Sequence, residues 1–401
     1  MLYADASATT PVRREVLEAM WPYLTGEFGN PSSTHDLGHR AASALASARA
    51  DVAAAFGARP GEVVFTSGGT EADNLAVKGL ALATPRGRHV VTSAIEHEAV
   101  GQSVDALARL HGFTVTVLTP QPDGVVTPEA LRAALRPDTT LVTIHHANNE
   151  VGTVQDVAAL AAVAHEAGAP FHTDAVQSAG WLDVSLAGLG VDALSVSGHK
   201  IGAPKGVGAL LVRAGLPLEP VLHGGGQERG RRSGTENVAF AVGLAAAARA
   251  LPALRARAGE VAASRDALID GVLARVPGAL LTGPDPRPTA PAAPGTAKAA
   301  APGTAQEPGT ARRLPGHASF CFPGTSGEAV LLELERAGVT TSSGSACAAG
   351  RDEPSHVLLA LGLAPEVAQT SVRLTVDAPF DADAVVAAVV AATTAVGRLG
   401  S

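Results

Sequence analysis

The stretch that decides the fold is Val191-Asp192-Ala193-Leu194-Ser195-Val196-Ser197-Gly198-His199-Lys200. Its apolar beginning predicts a buried strand, and Lys200 comes directly after the strand end, beside a serine and a histidine. The chain has only four lysines, so a lysine at this place is informative. A pyridoxal phosphate site needs a lysine that binds the aldehyde and an acid that faces the pyridine nitrogen. Asp174, which follows the strand-like run 169–173, is the candidate for that acid.

Short strand-like runs alternate with helical stretches along the first 250 residues. The runs are 62–66, 89–92, 114–118, 140–145, 170–173, 192–197 and 208–212. This alternation predicts an α/β fold, with a mostly parallel seven-stranded sheet that helices cover. In open sheets of this kind, ligands bind at the carboxyl ends of the strands. Several polar candidates fall there, namely Thr66, Thr92, His146, Asp174 and Ser197.

The length of 401 residues is enough for two domains. We expect a large domain over 12–250 and a smaller α+β domain made of 1–11 and 251–401, with strands near 318–322 and 371–376. Residues 284–313 are rich in Pro, Ala, Gly and Thr, and Pro-Gly-Thr-Ala occurs there three times. Such a composition cannot bury a core, so we expect a flexible surface insertion without an assigned function.

Composition and charge exclude some functions. The net charge of -8 argues against a nucleic-acid partner held by a basic surface. No basic segment followed by an apolar run opens the chain, and the apolar stretch 384–396 is too short to span a bilayer. We therefore expect a cytoplasmic protein without a membrane partner, whose site holds no metal.

The two cysteines lie in contrasting settings. Cys321 is part of a strand-like apolar run, which is typical of an inert core residue. Cys347 lies among small residues in 342–350, and this pattern predicts a flexible loop with an exposed, reactive thiol. A cysteine in such a loop is, without further information, more often a bystander. A structural disulfide is not expected in a cytosolic chain.

The stretch 65–71 combines a strand end, a Gly-rich turn and the start of a helix. Its free N–H groups and the helix dipole make an anion cradle, to which Gly69 and Thr70 contribute. The same residues are also typical of an ordinary turn that caps the N-terminus of a helix. Further polar side chains follow predicted strands and can share one site with Lys200. They are His97, Asn149, Gln177, Ser197 and His199.

Together these segments resemble the cysteine desulfurases of the NifS/IscS type, in the class V aminotransferase group of pyridoxal phosphate enzymes. The matching segments are 3–11, 29–35, 65–71, 96–97, 148–152, 174–177, 197–208, 224–229, 234–237, the Cys347 loop and 354–358. The resemblance covers nearly the whole chain apart from the insertion. It implies the PLP-dependent transferase fold type I and a homodimer.

The resemblance also implies a role for each candidate residue. Lys200 is the Schiff-base lysine and proton carrier, Asp174 pairs with the pyridine nitrogen, and His97 stacks on the ring. The remaining implied contacts are Gly69, Thr70, Ser197 and His199 at the phosphate, Thr235 from a second subunit at the same phosphate, Gln177 at the ring oxygen, Asn149 at cofactor and substrate, and Arg373 at the substrate carboxylate.

The implied reaction converts L-cysteine to L-alanine and leaves a persulfide on Cys347. We hypothesise that His97 accepts the thiol proton. The sulfur then passes to an acceptor, and an iron–sulfur cluster assembly scaffold and a tRNA-thiolation or other relay protein both remain open. A selenocysteine lyase or another class V aminotransferase-like enzyme is the alternative, because it needs the cofactor residues without Cys347. A non-catalytic relative is disfavoured because Lys200, Asp174 and Cys347 are all present.

Overall fold

The computed structural model describes residues 1–83, 85–287, 312–344 and 353–399. Cys347 lies outside the described residues, as does most of the predicted insertion.

The described residues form strands in three sheets. In chain order the strands are β1 (Leu2–Tyr3), β2 (Val63–Thr66), β3 (His89–Ser93), β4 (Thr114–Leu118), β5 (Thr139–Thr143), β6 (Phe171–Asp174), β7 (Ala193–Ser197), β8 (Gly208–Val212), β9 (Leu280–Leu281), β10 (His317–Cys321), β11 (Val339–Thr340) and β12 (Ser371–Thr375). The seven runs predicted from the sequence agree with β2 to β8 to within two residues at each end.

Helices alternate with these strands. In chain order they are α1 (Arg14–Leu24), α2 (Asp36–Ala55), α3 (Gly69–Ala83), α4 (Glu98–His111), α5 (Pro128–Ala134), α6 (Val157–Glu166), α7 (Val238–Arg249), α8 (Leu251–Ala256), α9 (Ala258–Arg275), α10 (Gly327–Arg336), α11 (His356–Ala360), α12 (Pro365–Ala368) and α13 (Ala382–Leu399). The predicted alternation of strand and helix is therefore confirmed.

The largest sheet has the strand order β2-β8-β7-β6-β5-β3-β4. All neighbours are parallel except that β8 runs antiparallel to both β2 and β7, so the predicted mostly parallel seven-stranded sheet is confirmed. The direction in which successive strands are added reverses between β3 and β5. A crevice for a ligand forms at such a reversal, outside the carboxyl ends of the strands.

Both faces of this sheet are covered, as its apolar strands require. Successive strand residues point to opposite faces. Val63 and Phe65 belong to the core cluster that includes α1, α2 and α7, whereas Val64 belongs to the cluster beneath α3 and α4. In the part of the chain that the structure describes, one stretch, Val238–Ala256, is long and apolar enough to cross a membrane, with a mean hydropathy of 1.4. It contains α7, most of whose residues are buried in the first of these clusters, as in a core helix.

A smaller antiparallel sheet has the order β12-β10-β9, and β1 pairs in parallel with β11 in a sheet of two strands. The N-terminal residues thus join the C-terminal part of the chain, with Leu2 opposite Val339 and Asp5 bridged to Thr375. A separate apolar cluster, which includes Phe320 and Val372, packs between these strands and α9, α10 and α13. The domain limits expected from the sequence stay a prediction.

The two ends of the predicted insertion lie next to each other. The Arg313 side chain is buried and donates to the carbonyl oxygens of Pro284, at 2.7 Å, and Thr282, at 2.5 Å. Arg313, at the end of the predicted insertion, is therefore held in place, because a buried guanidinium needs such acceptors. The flexibility expected for 284–313 stays a prediction. Residues 288–311 lie outside the described part.

Candidate active site

A cavity of about 280 Å³ lies at the carboxyl ends of the seven-stranded sheet. Most of the site residues predicted from the sequence line this cavity. They are Gly69, Thr70, His97, Asn149, Asp174, Gln177, Ser197, His199, Lys200 and Arg373. Thr235 does not line this cavity but lies exposed on a separate segment. Cys347 cannot be placed, since it is outside the described residues.

Lys200 reaches the cavity from a short 3-10 turn that follows β7. Its Nζ donates to the carbonyl oxygen of Ser7 and, at 2.9 Å, to that of Ala8. Gln177 Nε2 also donates to the Ser7 oxygen, at 3.0 Å. The N-terminal segment therefore lies against the amine. Sequence reasoning missed Ser7 and Ala8 as lining residues, although the segment 3–11 was among the matching motifs.

The acid predicted to face the pyridine nitrogen lies at the end of β6. Asp174 is buried, its Oδ1 accepts from the Val176 N–H at 2.8 Å, and burial raises the pKa of its carboxyl despite the nearby His97. Asp73 on α3 also lines the cavity, and burial together with the charge of Asp174 raises the pKa of Asp73 well above its usual value. No hydrogen-bond partner among the described residues reaches Asp73 Oδ1. Asp73 was not predicted, because a helical Asp gives no signal of burial.

A second polar pair lies deeper in the same wall. His145 Nδ1 is 3.2 Å from Glu96 Oε1, and the backbone N–H of His145 donates to Glu96 Oε2 at 2.9 Å. Burial alone lowers the pKa of His145, but the Glu96 carboxylate outweighs burial and the pKa is raised. His145 Nε2 is buried without a partner among the described residues. Asp73 Oδ1 and His145 Nε2 are thus polar atoms of cavity-lining residues that a ligand can satisfy.

Another part of the cavity lining suits an anion. Helix α3 begins at Gly69 and presents its first, unbonded N–H groups there, with the Thr70 and Ser197 side chains beside them. A Cβ on Gly69 would lie 2.8 Å from Val176 Cγ2, so only glycine allows this close approach. Burial and the neighbouring lysines lower the pKa of His199 to about 4, which leaves its ring neutral at pH 7.

His97 caps helix α4. Its Nδ1 accepts the backbone N–H of Ala99 at 3.1 Å. A nitrogen that accepts a hydrogen bond carries no proton, so the neutral ring is protonated at Nε2. Such a ring donates from Nε2. The hypothesis that His97 accepts the thiol proton therefore stays a prediction, and it requires the cap bond to open first.

Arg373 enters the cavity from the middle of β12 and is buried. Its Nη1 donates to the Asn149 carbonyl at 3.0 Å, and its Nη2 donates to Asp5 Oδ1 at 2.8 Å. Its Nε has no partner among the described residues. The guanidinium is therefore held in one orientation, and its Nε–H is left to a ligand. Asp5 was in a matching motif, but its pairing with Arg373 was not predicted.

The lining of this cavity fits pyridoxal phosphate. It offers an anion cradle, a buried acid and an amine, which are the groups that this cofactor needs. The two unpartnered polar atoms described above belong to the same wall. A second cavity, of about 260 Å³, shares Ser7, Gln177 and Lys200, but Asp174 does not line it. Groups of three His, Cys, Asp or Glu side chains that could hold a metal do not occur among the described residues.

Comparison with known sequences agrees with this site. Residues 2–293 match the family described as "Aminotransferase class-V". The chain is 42% identical over 376 residues to "Cysteine desulfurase IscS" of Dictyoglomus turgidum, covering 93% of this chain and 89% of that protein. It is 43% identical over 381 residues to "IscS-like cysteine desulfurase" of Mycobacterium tuberculosis, covering 93% and 91%.

Solved structures show the same fold. A "NIFS-LIKE PROTEIN" superimposes with a TM-score of 0.84 and 33% identity, covering 99% of both chains. The structure titled "SspA in complex with cysteine" has a TM-score of 0.77 and 35% identity over 95% of this chain and all of that one. The fold predicted from the resemblance is therefore confirmed.

Proposed function

The chain belongs to the class-V aminotransferase family and, within it, to the pyridoxal phosphate-dependent cysteine desulfurases, and we propose that it takes sulfur from L-cysteine with Cys347 as the first acceptor. The products are L-alanine and a persulfide on Cys347. The observation that carries the proposal is the single cavity that holds Lys200, Asp174 and Arg373 together.

Several residues of the cavity would hold the cofactor. The start of α3, with Thr70, Ser197 and His199, would hold the phosphate, and Thr235 of a second subunit would complete that site. Asp174 would pair with the pyridine nitrogen and Lys200 would bind the aldehyde carbon. When bound, the cofactor supplies an electron sink for negative charge at the substrate Cα.

The chain's own residues carry the remaining steps. Arg373, held by Asp5 and Asn149, binds the substrate carboxylate. Lys200 Nζ takes the proton from the substrate Cα, and its neighbouring carbonyl groups orient the amine. The Cys347 thiolate attacks the substrate sulfur, so an S–S bond forms as the Cβ–S bond breaks. The electron pair of the broken bond stays on Cβ, which takes up a proton equivalent to the one that Cys347 released. Lys200 returns its proton to Cα, and the product leaves as alanine.

Incubation of the purified holoenzyme with L-cysteine tests this function. We expect one alanine per turnover with a thiol reductant present, and a mass increase of one sulfur atom on Cys347 without it. A Cys347→Ser variant should bind cysteine but release neither sulfide nor alanine. Alanine formation at an unchanged rate in that variant would contradict the proposal and favour the class V lyase alternative. Cys321 is an internal control, because it is buried and burial raises its pKa to about 11.

A homodimer is part of the proposal. An apolar row on and after α1 is exposed, with relative accessibilities of 54% for Leu17, 67% for Trp21 and 68% for Phe28. Helix α1 packs on α7, which directly follows the segment that carries Thr235. Exposed apolar rows of this kind are typical of subunit interfaces. Sedimentation of the holoenzyme at the mass of a single chain would contradict the dimer.

The sulfur acceptor is proposed as a class. An iron–sulfur cluster scaffold and a tRNA-thiolation or other relay protein both accept a persulfide, and transfer of labelled sulfur to each distinguishes them. A cytoplasmic location also belongs to the proposal, since a free Cys347 thiol requires a reducing compartment.

A further inference from the structure

Residues 5–10, here called the strap, join β12 to the turn that carries Lys200. The first half of the strap lies along β12. The Ala6 N–H donates to the Thr375 carbonyl oxygen at 2.9 Å, and the Ser7 N–H donates to Thr375 Oγ1, also at 2.9 Å. Thr375 is buried, so its hydroxyl is shielded from solvent. One threonine thus anchors the strap to the three-stranded sheet through both its main chain and its side chain.

The second half of the strap is anchored beside Lys200. The Thr10 N–H and the Thr10 hydroxyl both donate to the His199 carbonyl oxygen, at 2.9 Å and 2.8 Å. Thr9 Oγ1 lies 3.1 Å from His199 Nδ1. Because His199 directly precedes Lys200, this anchor fixes the strap to the main chain from which the amine extends.

Between the two anchors the strap turns and presents two successive carbonyl groups to the amine. The Ala8 N–H donates to the Asp5 carbonyl oxygen at 2.9 Å and closes the turn. The carbonyl oxygens of Ser7 and Ala8 both accept from Lys200 Nζ. A lysine side chain is flexible and has many rotamers, so two fixed acceptors confine its nitrogen to one place.

The same strap carries the carboxylate that holds the substrate arginine. Asp5 Oδ1 accepts from Arg373 Nη2 at 2.8 Å, and the two side chains are only 19% and 3% exposed. Arg373 and Thr375 lie two residues apart on β12 and therefore on the same face of the strand. The strap thus links the group proposed to bind the substrate carboxylate with the amine proposed to take the Cα proton.

We propose that the strap sets the distance between the bound substrate and the Lys200 amine, with Thr375 and Asp5 as positioning residues. The inference rests on the proposed desulfurase function and assigns its proton-transfer step a support far from Lys200 in sequence. A proton moves only between atoms within hydrogen-bond reach, so a displaced amine slows this step. Thr375 Oγ1 accepts from the strap and not from Arg373, so its loss should act on the amine more than on substrate binding.

The first test needs neither cofactor nor turnover. Acetic anhydride labels amines, and peptide mass spectrometry gives the labelling rate of each of the four lysines in one sample of full-length apoprotein. In Thr375→Val, the rate at Lys200 relative to exposed Lys205 should rise about 2-fold to 10-fold, the range for losing one hydrogen bond. Thr375→Ser keeps the hydroxyl and should restore the wild-type ratio. Thr393→Val is the matched control, because Thr393 is also buried but its hydroxyl bonds within α13.

The second test isolates proton transfer in the holoenzyme. Exchange of the Cα hydrogen of L-alanine with D₂O, followed by proton NMR, requires the Lys200 amine but no sulfur transfer. Thr375→Val should slow exchange at saturating alanine about 2-fold to 10-fold, while the half-saturating concentration changes less than about twofold. Asp5→Asn should slow exchange and also raise that concentration, because it weakens the hold on Arg373.

The two tests separate the strap from the proposed function. Wild-type labelling of Lys200 in both Thr375→Val and Asp5→Asn would overturn the strap, and so would an equal rise in Thr393→Val. If the wild-type chain does not convert cysteine, the proposed function fails, but the labelling ratio still shows whether the strap holds the amine. If Thr375→Val does not fold, the labelling of Thr10→Val decides, since it loses one of the two hydrogen bonds of the other anchor.

Discussion

The seven-stranded sheet and the three-stranded sheet contribute to the cavity in different ways. The larger sheet presents residues at or just after the ends of its strands, since Asp174 is the last residue of β6 and Lys200 follows β7. The smaller sheet presents Arg373 from the middle of a strand, and this side chain is held by Asp5 and Asn149. The cofactor side is therefore built from local sequence, and the substrate side from segments far apart in the chain.

The two sides also differ in electrostatics. The cofactor side contains the carboxyls of Asp73 and Asp174, and burial raises the pKa of both. On the substrate side, the Arg373 guanidinium is already paired with Asp5 at 2.8 Å. A cation or a proton is thus needed at the first side, where a bound cofactor supplies a ring nitrogen, while the charge of the guanidinium on the second side is already paired before any ligand arrives.

The largest effect is expected on the cofactor side. Lys200→Ala removes the amine proposed to bind the aldehyde and to move the proton, so kcat should fall by about 10²-fold to 10⁴-fold, the usual contribution of a positioned proton carrier. Far-UV circular dichroism should not change, because the hydrogen bonds from Lys200 Nζ to the Ser7 and Ala8 carbonyls belong to no helix or strand. The visible absorbance of the holoenzyme should be lost or shifted.

Lys205→Ala is the control, since Lys205 is exposed five residues further along the chain. Retention of the visible band and of turnover in Lys200→Ala would show that the amine is not the cofactor lysine.

A smaller effect, of a different kind, is expected on the substrate side. Arg373→Lys keeps a positive charge but cannot reach Asn149, Asp5 and a carboxylate together. The KM for cysteine should rise about 10-fold to 100-fold, whereas the absorbance of the bound cofactor should stay unchanged. Steady-state kinetics checks this, with Arg336→Lys on the exposed side of α10 as the control. Loss of cofactor binding in Arg373→Lys would erase the distinction between the two sides.

This difference explains how much could be predicted from the sequence. The strands of the larger sheet are apolar runs bounded by Gly and polar residues, and such runs can be recognised from neighbouring residues alone. Residues at their ends, such as Asp174 and Ser197, were predicted from that placement. Arg373 was assigned only through the family resemblance, because a strand arginine is usually at the surface.

The contacts that the sequence did not reveal join residues far apart in the chain or involve charged side chains that are buried although their type is usually exposed. Ser7 reaches Lys200 because β1 pairs with β11, and nothing local encodes the pairing of Leu2 with Val339. Asp73 lies on a helix, where a carboxyl is normally solvated, yet it is 1% exposed. Arg313 follows a Pro- and Ala-rich stretch whose composition predicts no packing, but its acceptors lie 29 and 31 residues earlier.

The smallest effect concerns the stability of the apoprotein. The pKa of Asp73 is raised in the folded state, so above pH 4 the folded chain holds a proton that the unfolded chain releases. The free energy of unfolding therefore decreases as pH rises through this window, by at most about 1.4 kcal/mol per pH unit for one group. Asp73→Asn has no carboxyl to titrate and so lacks this pH-dependent loss of stability. The free energy of unfolding of the variant, compared with that of the wild type, should therefore increase from pH 5 to pH 8.

Urea unfolding of both apoproteins at several pH values measures this difference. Asp105→Asn, an exposed Asp on the neighbouring helix α4, should show no such trend. If Asp73→Asn instead loses stability relative to the wild type as pH rises, the Asp73 carboxyl is ionised and stabilised in the apoprotein. The cofactor side would then resemble the substrate side in being satisfied before any ligand binds, and the electrostatic contrast between the two sheets would not hold.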